Sequence, residues 1–177
     1  MVMPPVTEEA LAARRLGDGG GPMSLASRED NRLAALALAR QARRRLDILT
    51  PDLEAPLYNS SDFVEALTRL ALGSPHARIR ILTLDLERAV KEGHRLIEFC
   101  RRLSSYAEIR LAHEDDRDDP RAFMLADDAG LLYRRLSSRF EGFVDFSDPA
   151  EVRQLRAPFD EAWERASPDS ELRRLHL

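Results

Sequence analysis

Hydrophobic residues in the first part of the chain recur at the spacing of a helix and then at that of a strand. The run NRLAALALARQARRR has apolar positions at three- and four-residue steps, which predicts a first helix over about 28–44. Ser27 followed by Asp30 is typical of a helix N-cap. The run LDILT at 46–50 predicts a short strand that Pro51 ends. The segment PDLEAPLYNSS is rich in helix breakers and is predicted to be a loop.

The middle of the chain continues with a helix, a strand and a second, longer helix. Apolar residues on one face predict a helix that begins near Ser60 and ends at Gly73. The segment ARIRILTLD at 77–85 alternates isoleucine with arginine, which is the period of a strand. A long amphipathic helix is predicted after it, with Asp85 as its cap and apolar positions at helical steps as far as Leu103.

The last part of the chain predicts strands, a hairpin and a closing helix. A third strand is expected at 107–111, followed by the charged loop HEDDRDDP. Turn residues at 128–130 separate the apolar runs RAFMLAD and LLYRR, which predicts a β-hairpin, and a further strand is predicted at 140–146. Asp148 followed by proline marks the start of a helix. Its predicted buried face consists of Val152, Leu155, Phe159 and Trp163.

This order of elements predicts an α/β fold in which a mixed β-sheet is flanked by helices. Residues 28–177 are expected to form one domain, because a chain of 177 residues that is 44% hydrophobic suits a single core. Residues 1–27 are predicted to be a disordered tail. The reason is the segment GDGGGP at 17–22, where neither helix nor strand would persist.

Composition restricts the expected location and partners. No segment approaches the roughly 18 apolar residues of a membrane span, and the charges among the first 16 residues argue against a secretion signal. Cys100 is the single cysteine and cannot form an internal disulfide, so a cytoplasmic location is expected. The formal net charge of −4 gives no general attraction to anionic membranes or nucleic acid, and neither is an expected partner.

Strand, long helix, strand, charged loop and a hairpin with an acidic turn together resemble the half-domain of the phospholipase D superfamily, over about residues 28–166. The signature of that family is His-x-Lys-x4-Asp, with the histidine and lysine on the same face of one strand. Aligned with RAFMLADD, the signature places Arg121 at the histidine, Phe123 at the lysine and Asp128 at the aspartate. The resemblance therefore implies a degenerate motif.

In the family, the histidine attacks phosphorus and the lysine binds phosphate oxygens. A protonated arginine has no lone pair for such an attack, and phenylalanine has no charge to offer a phosphate. We therefore predict no catalytic residue. The resemblance implies a bacterial, non-catalytic phospholipase D-like domain, a ligand-sensing or protein-interaction module that binds an anion. Because the family site joins two motifs and this chain spans one half, a homodimer is also expected.

Six positions are candidate ligand-binding residues. Strand ends, a helical imidazole and guanidinium groups across the hairpin are the features that select them. Each has a simpler interpretation, since the aspartate at 85 can be a helix cap, the histidine a polar surface residue and the arginines solvated side chains. The candidates are Asp85, His94, Arg121, Asp128, Arg134 and Arg135.

Two other functions remain open from the sequence. A hydrolase or transferase acting on a phosphodiester would use His94 with Asp85 or Asp128 as a new acid–base pair. A nucleic-acid-binding module would use the arginines at 40–45, although cations there also suit the end of a helix. No cofactor is predicted. No metal site is predicted either, since the adjacent loop residues around His113 would not converge on one ion.

Overall fold

The computed structural model describes residues 2–168. Within these residues the chain forms seven α-helices and seven strands. They are α1 (Glu8–Ala13), β1 (Met23–Leu25), α2 (Arg28–Gln41), β2 (Arg45–Thr50), α3 (Ala55–Tyr58), α4 (Ser61–Gly73), β3 (Arg78–Thr83), α5 (Glu87–Glu92), α6 (Arg95–Arg102), β4 (Ala107–Leu111), β5 (Ala122–Ala126), β6 (Gly130–Arg134), β7 (Gly142–Asp145) and α7 (Pro149–Arg165). A short 3₁₀ turn covers Glu114–Asp116.

The strands form one mixed sheet, as the sequence predicts. The strand order is β1-β7-β6-β5-β2-β3-β4. Strands β2, β3 and β4 are parallel, and the other neighbours are antiparallel. Alternate residues of β2 point to opposite faces, so Ile48 joins a core shared with α2, α4 and α6, while Leu49 joins a second core under α7. Helices therefore cover both faces, and the predicted α/β class is confirmed.

Local capping signals place three helices where the sequence predicts them. The side chains of Ser27, Ser60 and Asp148 each accept a hydrogen bond from a backbone N–H in the first turn, at 3.0 Å, 3.2 Å and 3.1 Å. The predicted hairpin forms as β5 and β6. Helix α2 ends at Gln41, three residues before the predicted end.

The single long helix predicted after β3 is wrong. The chain forms α5 and then α6, and the break between them lies at Gly93, whose φ of 82° is in the left-handed region that glycine tolerates. His94 follows as the N-cap of α6. Helical spacing persists on both sides of the break, which is why the apolar pattern alone does not reveal it.

The disordered tail predicted for residues 1–27 is also not what the structure contains. Val6, Leu11, Met23 and Leu25 are buried in the core, and β1 pairs with β7 at the sheet margin. The glycine-rich segment at 17–22 connects α1 to β1 without helix or strand. The prediction was wrong because the glycines and proline at 17–22 prevent helix and strand only locally, whereas the apolar residues on either side of them still pack in the core. The predicted domain's residues 169–177 lie outside the described part of the chain.

Among the helices of residues 2–168, none has both the length and the apolar character needed to span a bilayer.

Candidate functional site

Two opposite edges of the sheet hold the residues that the sequence singles out. The parallel strands β2, β3 and β4 end at one edge, which we call the carboxyl edge, and begin at the other, which we call the amino edge. Antiparallel pairing of Leu49 with Phe123 and of Ala122 with Arg134 brings the start of β5 and the end of β6 to the carboxyl edge. Ligands of open α/β sheets usually bind at such an edge.

The three positions aligned with the phospholipase D signature do not form one site. Arg121 donates two hydrogen bonds to the carboxylate of Asp119, at 2.9 Å and 2.8 Å. Phe123 is buried, with its ring centroid 6.1 Å from that of Phe159 on α7. Asp128 lies beyond the other end of β5. The two ends of this strand are roughly 17 Å apart, at about 3.3 Å per residue. Burial raises the pKa of Asp119, but the bonds from Arg121 outweigh it and hold that pKa below its usual value.

Asp128 instead belongs to an ion-pair network at the amino edge. Its carboxylate accepts hydrogen bonds from Arg45 at 2.5 Å and from Arg156 at 3.0 Å. Arg156 also donates to the buried carboxylate of Asp47 at 3.0 Å, and Arg80 binds that same carboxylate through two bonds of 2.8 Å and 2.9 Å. Asp128 therefore joins the hairpin turn to α7 and the start of β2.

His94 lies at the carboxyl edge with both ring nitrogens engaged. Its Nδ1 accepts a hydrogen bond from the Leu96 N–H at 3.1 Å, and its Nε2 lies 2.9 Å from the carbonyl oxygen of Leu53. Because a carbonyl only accepts, Nε2 carries the proton and the imidazole is neutral. Burial lowers the pKa of His94, with a smaller opposing contribution from the Leu53 carbonyl. The ring therefore has no free nitrogen for acid–base chemistry in this arrangement.

Acidification is expected to destabilise the fold through His94. The unfolded chain takes up a proton near the ordinary histidine pKa of 6.5, whereas burial keeps the folded pKa lower. The stability contributed by neutral His94 is therefore complete above pH 6.5 and is lost as pH falls through the lowered pKa. Urea unfolding from about pH 7.5 to about pH 5 should show a steeper loss for wild type than for His94→Gln. The exposed His76→Gln is the matched control, and parallel pH curves for wild type and His94→Gln would contradict this role.

A buried ion pair lies beside His94. Arg134 is 1% exposed, and its Nη2 donates a short hydrogen bond to Oε2 of Glu54. The Thr50 hydroxyl donates to Oε1 of Glu54 at 2.9 Å. Burial raises the pKa of the Glu54 carboxyl above its usual value, against the opposing effects of Arg134 and Thr50.

The loop that presents Glu54 has an unusual backbone. Leu53 and Glu54 have φ values of 67° and 28°, in the left-handed region that residues with a Cβ rarely adopt. Asp52 Oδ1 accepts from the Glu54 N–H at 3.0 Å, and the Leu53 carbonyl is held by His94. Such conformations persist only where surrounding contacts impose them, and they concentrate at functional sites.

Arg134 retains hydrogen-bonding capacity that Glu54 does not satisfy. Within residues 2–168, its buried Nε and Nη1 have no hydrogen-bond partner. The Arg134 guanidinium carbon lies 6.0 Å from the Phe140 ring centroid, and that of Arg28 lies 5.9 Å from the same ring. Phe140 and Glu54 also line a cavity of about 860 Å³. We call this cavity the Arg134 pocket; its other lining residues include Arg28, Asp52, Arg88, Glu92 and His94.

The six candidate ligand residues are only partly brought together. His94 lines the Arg134 pocket, and Arg134 lies behind its wall of Glu54 and Phe140. Arg121 lies on the α7 face of the sheet and Arg134 on the other, so the two guanidinium groups do not face one ligand.

Asp85 lines a different cavity, of about 760 Å³, and its Oδ1 accepts from the Glu87 N–H at 2.8 Å. The N-cap of α5 is Leu86, one residue after the predicted cap. Arg135 is exposed. The acid–base pairing of His94 with Asp85 or Asp128 is therefore not assembled. The sequence missed Glu54, Thr50 and Phe140, because nothing local to the loop or the strand ends indicates that Arg134 is buried against them.

The sequence matches a family model, and the fold matches those of solved structures. The family model of a domain of unknown function, DUF7931, matches residues 27–175. No curated protein matches the sequence. Among solved structures, the archaeal chromatin protein TrmBL2, described as showing a novel mode of DNA binding, superposes with a TM-score of 0.62 at 15% identity. The match covers 85% of this chain and 54% of that one, so the chain spans about half the length of TrmBL2.

Two other solved structures, of similar size, have the same fold. Nuc from Salmonella typhimurium, a phospholipase D family member, has a TM-score of 0.57 at 10% identity, over 83% of this chain and 97% of that one. NucT from Helicobacter pylori has a TM-score of 0.56 at 9% identity, over 84% of this chain and 99% of that one. At these identities the likeness shows the fold alone, which is phospholipase D-like.

Proposed function

Because this chain belongs to the DUF7931 family and has a phospholipase D-like fold, we propose that it is a non-catalytic ligand-binding domain whose Arg134 pocket takes a small anion. The anion is a compact group with two or more oxygens, such as a phosphate or a carboxylate. The sequence predicts an anion-binding module, and the Arg134 pocket is the site that we propose for the anion.

The non-catalytic part of the proposal is supported at the motif positions. Arg121 is held by Asp119 and is protonated at physiological pH, so it offers no electron pair to phosphorus. Phe123 is buried in the α7 core, and its ring offers no charge to a phosphate. His94, the other candidate for proton transfer, uses both ring nitrogens in backbone hydrogen bonds.

The observation that carries the binding proposal is the unsatisfied guanidinium of Arg134. A buried N–H without a partner costs about 1–3 kcal/mol, and an anion that accepts from Nε or from Nη1 would recover it. Nε and Nη2 share one side of the guanidinium and Nη1 and Nη2 share its end, so the anion would accept from Nε or from Nη1, beside the bond that Nη2 donates to Glu54. Glu54 would keep its bond to Nη2, so the anion would add to the ion pair without replacing it.

Access to Arg134 requires the Phe140 ring to rotate. Phe140 lies in the connection between β6 and β7, and its carbonyl oxygen accepts from Asn31 Nδ2 at 2.8 Å. That bond fixes the backbone, so the side chain can turn while the loop stays attached to α2. Arg88 lines the pocket and pairs with Glu92 at 3.2 Å, whereas Arg28 makes no ion pair within residues 2–168 and would attract an incoming anion.

The proposal is tested by nitrogen-15 NMR of the arginine Nε–H groups during titration with inorganic phosphate and, separately, with acetate. We expect a saturable shift of the Arg134 signal. Phe140→Ala should strengthen binding by about tenfold, because it removes the ring that closes the pocket. The exposed Arg135 next in sequence is the internal control, and its signal should not move.

An Arg134 signal that stays unchanged in both wild type and Phe140→Ala would overturn the binding proposal. The non-catalytic part has a separate readout, the hydrolysis of bis(p-nitrophenyl) phosphate. Wild type should give no turnover above buffer, and turnover that co-purifies with the protein and disappears in His94→Ala would overturn it.

A further inference from the structure

A second cavity lies at the amino edge of the sheet, on the side opposite to the Arg134 pocket. Its volume is about 930 Å³, which falls within the size range of small-molecule sites. We call it the arginine groove. Five of its lining residues are arginines, and they are accompanied by His76, Tyr106 and the hydroxyls of two serines. The arginines are Arg44, Arg45, Arg78, Arg80 and Arg110.

Three of these arginines are neutralised within the groove. Arg45 pairs with Asp128 at 2.5 Å, Arg80 with Asp160 at 2.7 Å, and Arg110 with Glu108 at 3.0 Å. Arg44 and Arg78 make no ion pair with any residue of 2–168, and both side chains are exposed. Glu164 is the lining acid that likewise has no ion pair within this part of the chain. The groove therefore has two free guanidinium groups against one free carboxylate.

Arg44 and Arg78 start from adjacent points of a rigid backbone. The Arg78 N–H donates to the Arg44 carbonyl at 2.9 Å, where β3 begins beside β2. The Asp127 carboxylate accepts from the N–H groups of Arg43, Arg44 and Arg45, at 2.8–3.2 Å. The backbone that carries Arg44 is thus fixed before any ligand arrives, which lowers the entropy cost of binding.

We propose that the arginine groove binds a small polyphosphate, either inorganic or the polyphosphate part of a nucleotide. Two adjacent guanidinium groups suit a ligand with consecutive phosphoryl groups, since each can donate two parallel hydrogen bonds to phosphate oxygens. The serine hydroxyls at 104 and 105 line the same cavity and add further donors. The size of the groove favours such a ligand over a nucleic-acid duplex.

A tryptophan in the groove allows ligand binding to be followed by fluorescence. Trp163 is the only tryptophan of the chain and lines the cavity, with the guanidinium carbon of Arg110 4.4 Å from its ring centroid. The guanidinium carbon of Arg80 also lies near this ring, 5.7 Å from its centroid, so the fluorescence of Trp163 should respond to occupancy. Pyrophosphate, tripolyphosphate and ATP without magnesium are the probes, at constant ionic strength. We expect a saturable change with each.

Variants that remove a positive or a negative charge from the groove should change the affinity in opposite directions. Arg44→Gln and Arg78→Gln should each weaken binding by about tenfold, and Glu164→Gln should strengthen it severalfold because it removes a repulsive charge. All three side chains are exposed, so the fold should be retained, which circular dichroism would verify. Arg135→Gln, at the other edge, should leave the affinity unchanged.

No saturable change, or equal affinities in wild type, Arg44→Gln and Arg78→Gln, would overturn the proposal. An oligonucleotide that binds more tightly than tripolyphosphate, with an affinity that falls steeply with salt, would replace it by nucleic-acid binding. ATP and tripolyphosphate of equal affinity would identify the phosphates alone as the recognised group. The Trp163 fluorescence and the Arg134 NMR signal are measured separately. A negative result for the arginine groove would therefore not contradict anion binding in the Arg134 pocket, and a negative result for the pocket would not contradict binding in the groove.

Discussion

Arg134→Met is expected to lower the free energy of unfolding by about 3–5 kcal/mol, the usual cost of removing one partner of a buried ion pair. Glu54 would remain 9% exposed with a single hydrogen bond from Thr50 and no cation to balance its charge. The carboxyl would then either stay ionised at high cost or take up a proton. Urea denaturation at neutral pH measures the loss.

A double-mutant cycle separates the ion pair from simple packing. Arg134→Met combined with Glu54→Gln should be more stable than the sum of the two single effects, because the double variant buries no charge at this point. Arg135→Met is the matched control and should fall within about 0.5 kcal/mol of wild type, since Arg135 is exposed. Additive single effects would show that the two side chains are not energetically coupled.

Asp47→Asn should also cost about 3–5 kcal/mol. Asp47 is fully buried and accepts three hydrogen bonds, two from Arg80 and one from Arg156. The asparagine cannot balance two guanidinium groups, and its amide N–H₂ would face donors. The chain offers a close control in Asp160→Asn, which removes a different acid from the same Arg80.

The control isolates burial as the cause. The Asp160 side chain is 51% exposed, so its bond to Arg80 is screened by water and should contribute at most about 1 kcal/mol. Equal losses for the two variants would mean that Asp47 acts through Arg80 alone and that its burial and its bond to Arg156 are unimportant. The measurement is again chemical denaturation, with circular dichroism as the probe.

The parts of the fold that the sequence predicts correctly depend on contacts between near neighbours. Ser27, Ser60 and Asp148 cap helices through bonds to residues three positions later, and the hairpin turn lies between strands that pair with each other. All the residues that form such a signal lie close together in the sequence. The mixed sheet and the phospholipase D-like resemblance followed from the order of these elements.

The parts that the sequence could not predict depend on distant partners. The break at Gly93 is held by the bond between His94 and Leu53, 41 residues away in the chain. Arg134 and Arg135 are indistinguishable in the sequence, yet one is buried because Glu54, 80 residues earlier, turns toward it. Arg121 and Arg134 looked like a phosphate-binding pair until the strand alternation placed them on opposite faces.

The N-terminal strand restricts how two copies of the domain can meet. Residues 4–6 bond to Ser24 along the outer side of β1, and at the far margin the Leu111 N–H donates to Ser167 at 3.2 Å. A second chain therefore cannot extend the sheet at β1 without displacing a segment already in place. A homodimer that kept this segment in place could not join its two sheets at β1, so that margin ends the sheet within each copy.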